Sequence, residues 1–135
     1  MNALAPRTDQ GHIVIAEDDV DMRRLIARML AAHDFRVTEV GDGAELLAYL
    51  TSPSRGHVDL VVSDVHMPKL SGLEVLDICR LQGHFVPTLL LTAFSDDYTR
   101  AAADRFGAIA VLDKPLELDD LRTAVVLLTR TPFGR

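Results

Sequence analysis

The apolar residues of this chain change their period again and again. HIVIA (12–16) is an unbroken run of the kind a strand buried on both faces shows, and Met22, Leu25, Ile26, Met29 and Leu30 then recur at helical spacing, with Asp18 or Asp19 available as a cap. FRVTEV (35–40) alternates and is rich in β-branched residues. GDG breaks it, and AELLAYL (44–50) reads as a short helix ended by TSPSRG. VDLVVS (58–63) and LEVLDICRL (73–81) form a third strand and helix, TLLLTA (88–93) and DDYTRAAADRF (96–106) a fourth pair, and AIAVL (108–112) and LELDDLRTAVVLL (116–128) a fifth. Five strands alternating with five helices predict an α/β fold, a parallel sheet covered on both faces through right-handed crossovers, with strands apolar throughout.

Composition narrows the picture. At 135 residues, 48% of them hydrophobic, the chain reads as one globular domain with a real core. Its net charge of −6 and scattered basic residues speak against a nucleic-acid surface. The densest basic group, Arg23, Arg24 and Arg28, reads as the wet face of a helix. No apolar run approaches the length needed to span a membrane, and residues 1–11 read as a flexible leader rather than a signal peptide, so a cytoplasmic location is expected. Cys79 is the only cysteine, which excludes a disulfide framework and is read as core packing. The five histidines are read as lying on separate loops or termini, without ligand spacing for zinc.

In an open parallel sheet, ligands bind beyond the carboxyl ends of the strands, where the winding reverses. Glu17, Asp18 and Asp19 follow the first strand, Asp64 follows the third, Thr92 and Ala93 end the fourth, and Asp113, Lys114 and Pro115 end the fifth. Each has an ordinary reading: Asp19 as a helix cap, the other acids as loop residues, Thr92 as a strand residue, Lys114 as a solvated base. Together they are harder to dismiss. Carboxylates within a few ångströms of one another repel, and one is protonated unless a cation compensates. A hard divalent ion resolves this, and magnesium suits a site that shares its coordination with phosphate. Asp64 is then a candidate nucleophile toward phosphorus, with Lys114 and the Thr92 hydroxyl facing the phosphoryl oxygens.

Four stretches, IVIAEDD, VVSDVHMPKLSG, LLLTA and VLDKP, resemble in order and spacing the receiver domain of two-component response regulators, of the chemotaxis-regulator type, across about residues 12 to 130. The resemblance implies a doubly wound, flavodoxin-like sheet of order 2-1-3-4-5. It implies Asp64 as phosphoacceptor, and magnesium (manganese as a substitute) held by Glu17, Asp18, Asp64 and the backbone carbonyl of His66. It also implies catalytic parts for Thr92 and Lys114 and a cis Lys114–Pro115 bond. The phosphoryl donor would be a phosphohistidine on a sensor histidine kinase or a phosphotransfer protein. The output surface would be the fourth helix, fifth strand and fifth helix, acting on an unknown downstream protein. The domain divides as leader 1–11, receiver 12–130 and tail 131–135, and is expected to stand alone unless it is a fragment of a longer regulator.

Two positions depart from the family. Val111 stands where relatives commonly carry the Tyr or Phe that moves together with Thr92, the other switch residue, on phosphorylation; Glu17 stands where many have Asp. His66 and Phe94, two residues beyond the phosphoacceptor and the threonine, flank the phosphoryl position and are expected to slow its hydrolysis. The apolar run Ala124–Leu128 is read as packing on the sheet, with a contact to a partner or a second copy as the alternative. Three other readings carry less. A phosphate-independent binding module is the runner-up, favoured by Val111 and opposed by the intact acidic, hydroxyl and ammonium set. A free-standing aspartyl-phosphate phosphatase wants an Asp where His66 stands, and a flavin fold wants a phosphate-cradling loop where this one is acidic. The chain is therefore not expected to be a free-standing enzyme.

Overall fold

Four of the helices begin where a short polar side chain takes over otherwise unpaired N–H groups. Asp19, Asp42, Ser71 and Asp96 each sit in extended backbone just before a helix and accept from N–H groups of its first turn, and Ser71 with Glu74 forms a reciprocal capping box. The structure is a computed structural model and describes residues 9–130. It runs β1 (Gly11–Ala16), α1 (Val20–Ala31), β2 (Phe35–Val40), α2 (Gly43–Thr51), β3 (Leu60–Asp64), α3 (Gly72–Leu81), β4 (Thr88–Thr92), α4 (Asp97–Arg105), β5 (Ala110–Asp113) and α5 (Leu118–Arg130). The expected leader, apart from residues 9–11, and the expected tail lie outside the described residues. Gly11 itself already belongs to β1.

The strands form one parallel sheet of order β2-β1-β3-β4-β5, as expected. The chain winds outward from β1 to β2 and then crosses back to β3, so the carboxyl ends of β1 and β3 flank the reversal point. Alternation along β1 feeds two cores. Ile13 and Ile15 pack with Ile26, Leu30, Leu121 and Val125 from α1 and α5, and Val14 and Ala16 pack with Leu46, Leu50, Val75 and Cys79 from α2 and α3. Burying each such Ile or Leu stabilises the fold by roughly 1.5–3 kcal/mol. Under α4 the core is thinner: Val65, Leu76, Leu90 and Ala103.

Several expectations need adjustment. Strands buried on both faces are found at the centre, in β1, β3 and β4; β2 exposes Arg36 and Glu39 and β5 is only half-buried, because both are edge strands. Asp64 is the last residue of β3 rather than the first of the loop, since its Cα pairs with Leu91 in the ladder. Asp96 and Phe106 cap α4 instead of belonging to it. His12 is not on a loop or terminus but inside β1 and buried. Along α5, Val125 is fully buried, Ala124, Val126 and Leu128 pack against the core, and Leu127 is 60% exposed, so most of that apolar run faces the sheet. Cys79 is a buried free thiol, pushed up in pKa by its burial. No described helix is long and apolar enough to cross a membrane.

Candidate functional site

At the reversal point the ends of β1, β3 and β5 bring together side chains from distant parts of the chain. Glu17, one residue beyond β1, is buried, and its N–H donates to the Val40 carbonyl at 3.2 Å. Asp64 is 4% exposed. Lys114 reaches in from the residue after β5, positioned by its N–H donating to the Thr92 carbonyl at 2.8 Å and followed by a cis bond to Pro115. Its ammonium donates to Glu17 Oε1 at 3.0 Å and lies 2.7 Å from Asp64 Oδ1. The second contact is an ion pair without hydrogen-bond alignment: Oδ1 is buried and has no aligned donor among the described residues. Asp18 is exposed, and it shares with Glu17 and Asp64 a set of carboxylate oxygens that all lie within 4.8 Å of one another.

Two buried acids facing one ammonium cannot both be charged at low cost. Burial pushes the Asp64 carboxyl up to about 8, helped by its hydrogen bond with Glu17 and by the Glu17 charge and opposed by Lys114. Burial pushes Glu17 upward too, but its hydrogen bonds with Asp64, the Asp19 N–H and Lys114 outweigh that and hold it below the usual range. Lys114 is raised, because the two carboxylates it faces outweigh its partial burial. Of the two buried carboxyls, Asp64 is the one whose surroundings favour the protonated form, and Glu17 the one whose surroundings favour the charged form. A hard divalent cation fits this set: clustered oxygen donors, an excess of negative charge, and a buried carboxylate oxygen with no aligned donor.

The turn after β3 fits the same geometry. The Gly72 N–H donates to the Val65 carbonyl at 2.8 Å, and a Cβ on Gly72 would collide with the Asp64 carbonyl oxygen and the Ser63 hydroxyl. Only glycine lets α3 start this close to the end of β3. Lys69 takes the left-handed conformation (φ 73°) that lets the turn close.

A family model, the response regulator receiver domain, matches residues 13–126. The chain belongs to this family. The receiver is 37% identical to the transcriptional regulatory protein FixJ of Bradyrhizobium diazoefficiens over 119 residues, 88% of this chain and 56% of the relative. It is 37% identical to the response regulator protein PmrA of Pseudomonas aeruginosa over 123 residues, 91% of this chain and 54% of the relative. It spans about half the length of such curated relatives. Among solved structures, full-length FixJ from B. japonicum superposes with a TM-score of 0.81 at 33% identity, covering 94% of this chain and 61% of that one. The receiver domain of the Francisella response regulator 1452 gives a TM-score of 0.81 at 26% identity, covering 89% and 97%.

In this receiver, Glu17, Asp18, Asp64 and Lys114 meet as the sequence led one to expect. Thr92 stands on the neighbouring strand, buried, but its hydroxyl donates to the Phe94 carbonyl at 3.0 Å and accepts from the Phe94 N–H at 3.1 Å, so it is engaged with its own turn rather than with Asp64. His66 and Phe94 come together edge-to-face, their ring centroids 6.5 Å apart, on the α3–α4 side of the site. Val111 packs against the thin core under α4.

Arg23 departs from the exposed position expected of it. It is not part of a wet face: its guanidinium donates to the Glu17 carbonyl at 3.0 Å and to Glu39 Oε1 at 3.2 Å, tethering the acidic loop to β2. Asp113 turns away from the site and pairs with Arg100 of α4 at 3.2 Å, while Arg100 also donates to the Ser95 hydroxyl at 2.6 Å. The capping part of Asp19 was legible; that its N–H also donates to Glu17 Oε2 at 3.1 Å was not.

Proposed function

We propose that Asp64 accepts a phosphoryl group from a phosphohistidine of a sensor histidine kinase or phosphotransfer protein, in a magnesium-dependent reaction, and that the phosphorylated receiver is read by a downstream protein through α4, β5 and α5. The supporting observation is the juxtaposition of a buried Asp64, its Oδ1 lacking an aligned donor, with Lys114 at 2.7 Å and two further acids whose oxygens lie within 4.8 Å of one another. Glu17, Asp18, Asp64 and the backbone carbonyl of His66 would hold the metal, with manganese as a substitute. When bound, it would neutralise the acids and the incoming phosphoryl oxygens.

The Asp64 proton leaves before reaction, and the carboxylate attacks phosphorus. One O–P bond forms as the donor's N–P bond breaks, and the histidine departs as neutral imidazole after taking up a proton. Lys114, already within reach of Asp64, offers its charge to an oxygen of the transferred group. Thr92 offers its hydroxyl once it leaves the Phe94 carbonyl, which gives the β4–α4 turn a way to register phosphorylation without an aromatic ring at Val111. His66 and Phe94 narrow the approach of water, so self-hydrolysis is slow and quickens in His66→Ala and Phe94→Ala. A cytoplasmic location, acting on itself rather than as a free-standing enzyme, completes the proposal. Intact mass after incubation with acetyl phosphate and magnesium tests it: one added phosphoryl group is expected for the wild type and none for Asp64→Ala. An unmodified wild type would favour the phosphate-independent reading.

A further inference from the structure

We propose that the groove between α3 and α4 docks a short amphipathic helix of a partner protein, one that presents apolar anchors flanked by Lys or Arg. The proposal is made for the unphosphorylated protein and rests on the lining of the groove, not on phosphotransfer to Asp64.

The groove exists because α4 turns only small side chains inward. Its buried residues are Thr99, Ala102 and Ala103, too short to fill the space toward α3. On the other side of α3, Leu46 and Leu50 of α2 meet Val75 and Cys79, and the remaining cavity is about 10 Å³, roughly one water. Between α3 and α4 the opening is about 710 Å³, within the range of about 300–1,000 Å³ usual for a ligand cleft. Val65, Leu73, Ala102 and Phe106 line it with apolar surface. Phe94 and Tyr98 stand at its edge, 70% and 74% exposed. Large aromatic rings held out beside an open apolar groove are the usual anchors of an interface.

Charge decides which partner fits. Glu74, Asp77 and Asp96 line the groove, and among the described residues no Lys or Arg does. The acids are fixed in place rather than free to swing: Glu74 accepts from the Ser71 N–H at 2.9 Å, Asp77 from Arg80 at 2.6 Å, and Asp96 from the Thr99 N–H at 2.7 Å. Arg80 and Arg105 instead lie over the Phe106 ring, 5.7 and 5.2 Å from its centre, at the carboxyl ends of both helices. The partner's cationic positions therefore belong toward the amino-terminal ends of α3 and α4. An acidic peptide or a nucleic acid is repelled there. Helices of 10 and 9 residues rise about 15 Å, which sets the docked segment at about three turns, read as anchors at i, i+3 or i+4, and i+7.

The test is a titration of the unphosphorylated protein with a fluorescent 12-residue helical peptide carrying Leu at those spacings with Lys and Arg beside them, mapped by amide chemical shifts. Expected are saturable binding, shifts along α3 and α4, and affinity weakened about tenfold by Tyr98→Ala and by Glu74→Gln, which keeps the helix cap. Leu25→Ala, on the far side of the molecule, leaves binding unchanged. A peptide of the same composition with the apolar spacing scrambled binds about tenfold more weakly. Absence of saturable binding, shifts on another face, equal affinity of the scrambled peptide, or indifference to Tyr98→Ala in a variant with unchanged circular dichroism would each overturn the proposal. So would self-association of the wild type that Tyr98→Ala abolishes, which would assign the groove to a second copy.

Discussion

The two ends of the sheet each bury a titratable side chain, His12 at the amino end of β1 and Asp64 at the carboxyl end of β3, and they treat it in opposite ways. Both ring nitrogens of His12 have partners, the His57 carbonyl at 3.0 Å and the Thr38 hydroxyl at 2.8 Å, and its backbone N–H donates to Asp59 Oδ2 at 2.8 Å. Gly11, at φ 143°, leaves room for the Asp59 carboxylate, which a Cβ would crowd at 2.9 Å. Asp64 is as deeply buried, yet Oδ1 has no aligned donor and its carboxyl is pushed up to about 8. A satisfied polar network fixes one arrangement of the chain. An incomplete one holds free energy that an incoming cation or phosphoryl group can recover. The first end serves the fold and the second serves chemistry.

The comparison breaks most sharply at Asp64. Its folded pKa, about 8, stands above its unfolded value near 3.8, so the folded state holds the proton more tightly. Asp64 thus lowers stability progressively as pH rises from about 4 to about 8. The stability of wild type minus that of Asp64→Asn is expected to fall across this window in the absence of metal, and magnesium is expected to reverse the trend. Urea midpoints of both proteins, with and without magnesium, check this. A difference that is flat with pH would mean that the two ends are alike.

At the other end, His12→Ala is expected to destabilise by about 2 to 3 kcal/mol, because it leaves the Thr38 hydroxyl and the His57 carbonyl without their partner and opens a cavity. Phosphate uptake by the folded fraction should stay unchanged. Arg23→Ala sharpens the contrast more gently. It frees the acidic loop from β2 and is expected to weaken magnesium affinity about tenfold by isothermal titration, with a smaller effect on stability. Arg100→Ala removes only exposed contacts, to Asp113 and Ser95, and should cost about 0.5 kcal/mol in denaturation.

How much of this was legible in the chain depended on the range of the interaction. The apolar runs of β1 and β4 and the helical spacing of α1 are local signals, and they placed their elements within a residue or two. Glu17, Asp18, Asp64 and Lys114 were legible because the carboxyl edge of a parallel sheet is a fixed address for residues that follow strands. Arg23 was not, since its bond to the Glu17 carbonyl depends on how α1 lies against β2. His12 was legible as the start of a strand but not as a core residue, because the partners of its ring lie 26 and 45 positions away. The need for glycine at position 72 left no mark in the chain, because the Asp64 carbonyl that a Cβ would strike comes beside it only in the fold. The groove beside α4 left no local mark either: small residues facing inward look the same whether a neighbouring helix fills the gap or leaves it open.

The central claim is that Asp64 itself carries the phosphoryl group. Treating the protein with acetyl phosphate and magnesium, reducing with sodium borohydride, which converts an aspartyl phosphate to homoserine, and mapping the peptides by mass tests it most directly. The account predicts homoserine at position 64 and at no other acid. Homoserine at Asp18 or Asp113 instead, or none in a folded and magnesium-loaded sample, would contradict it.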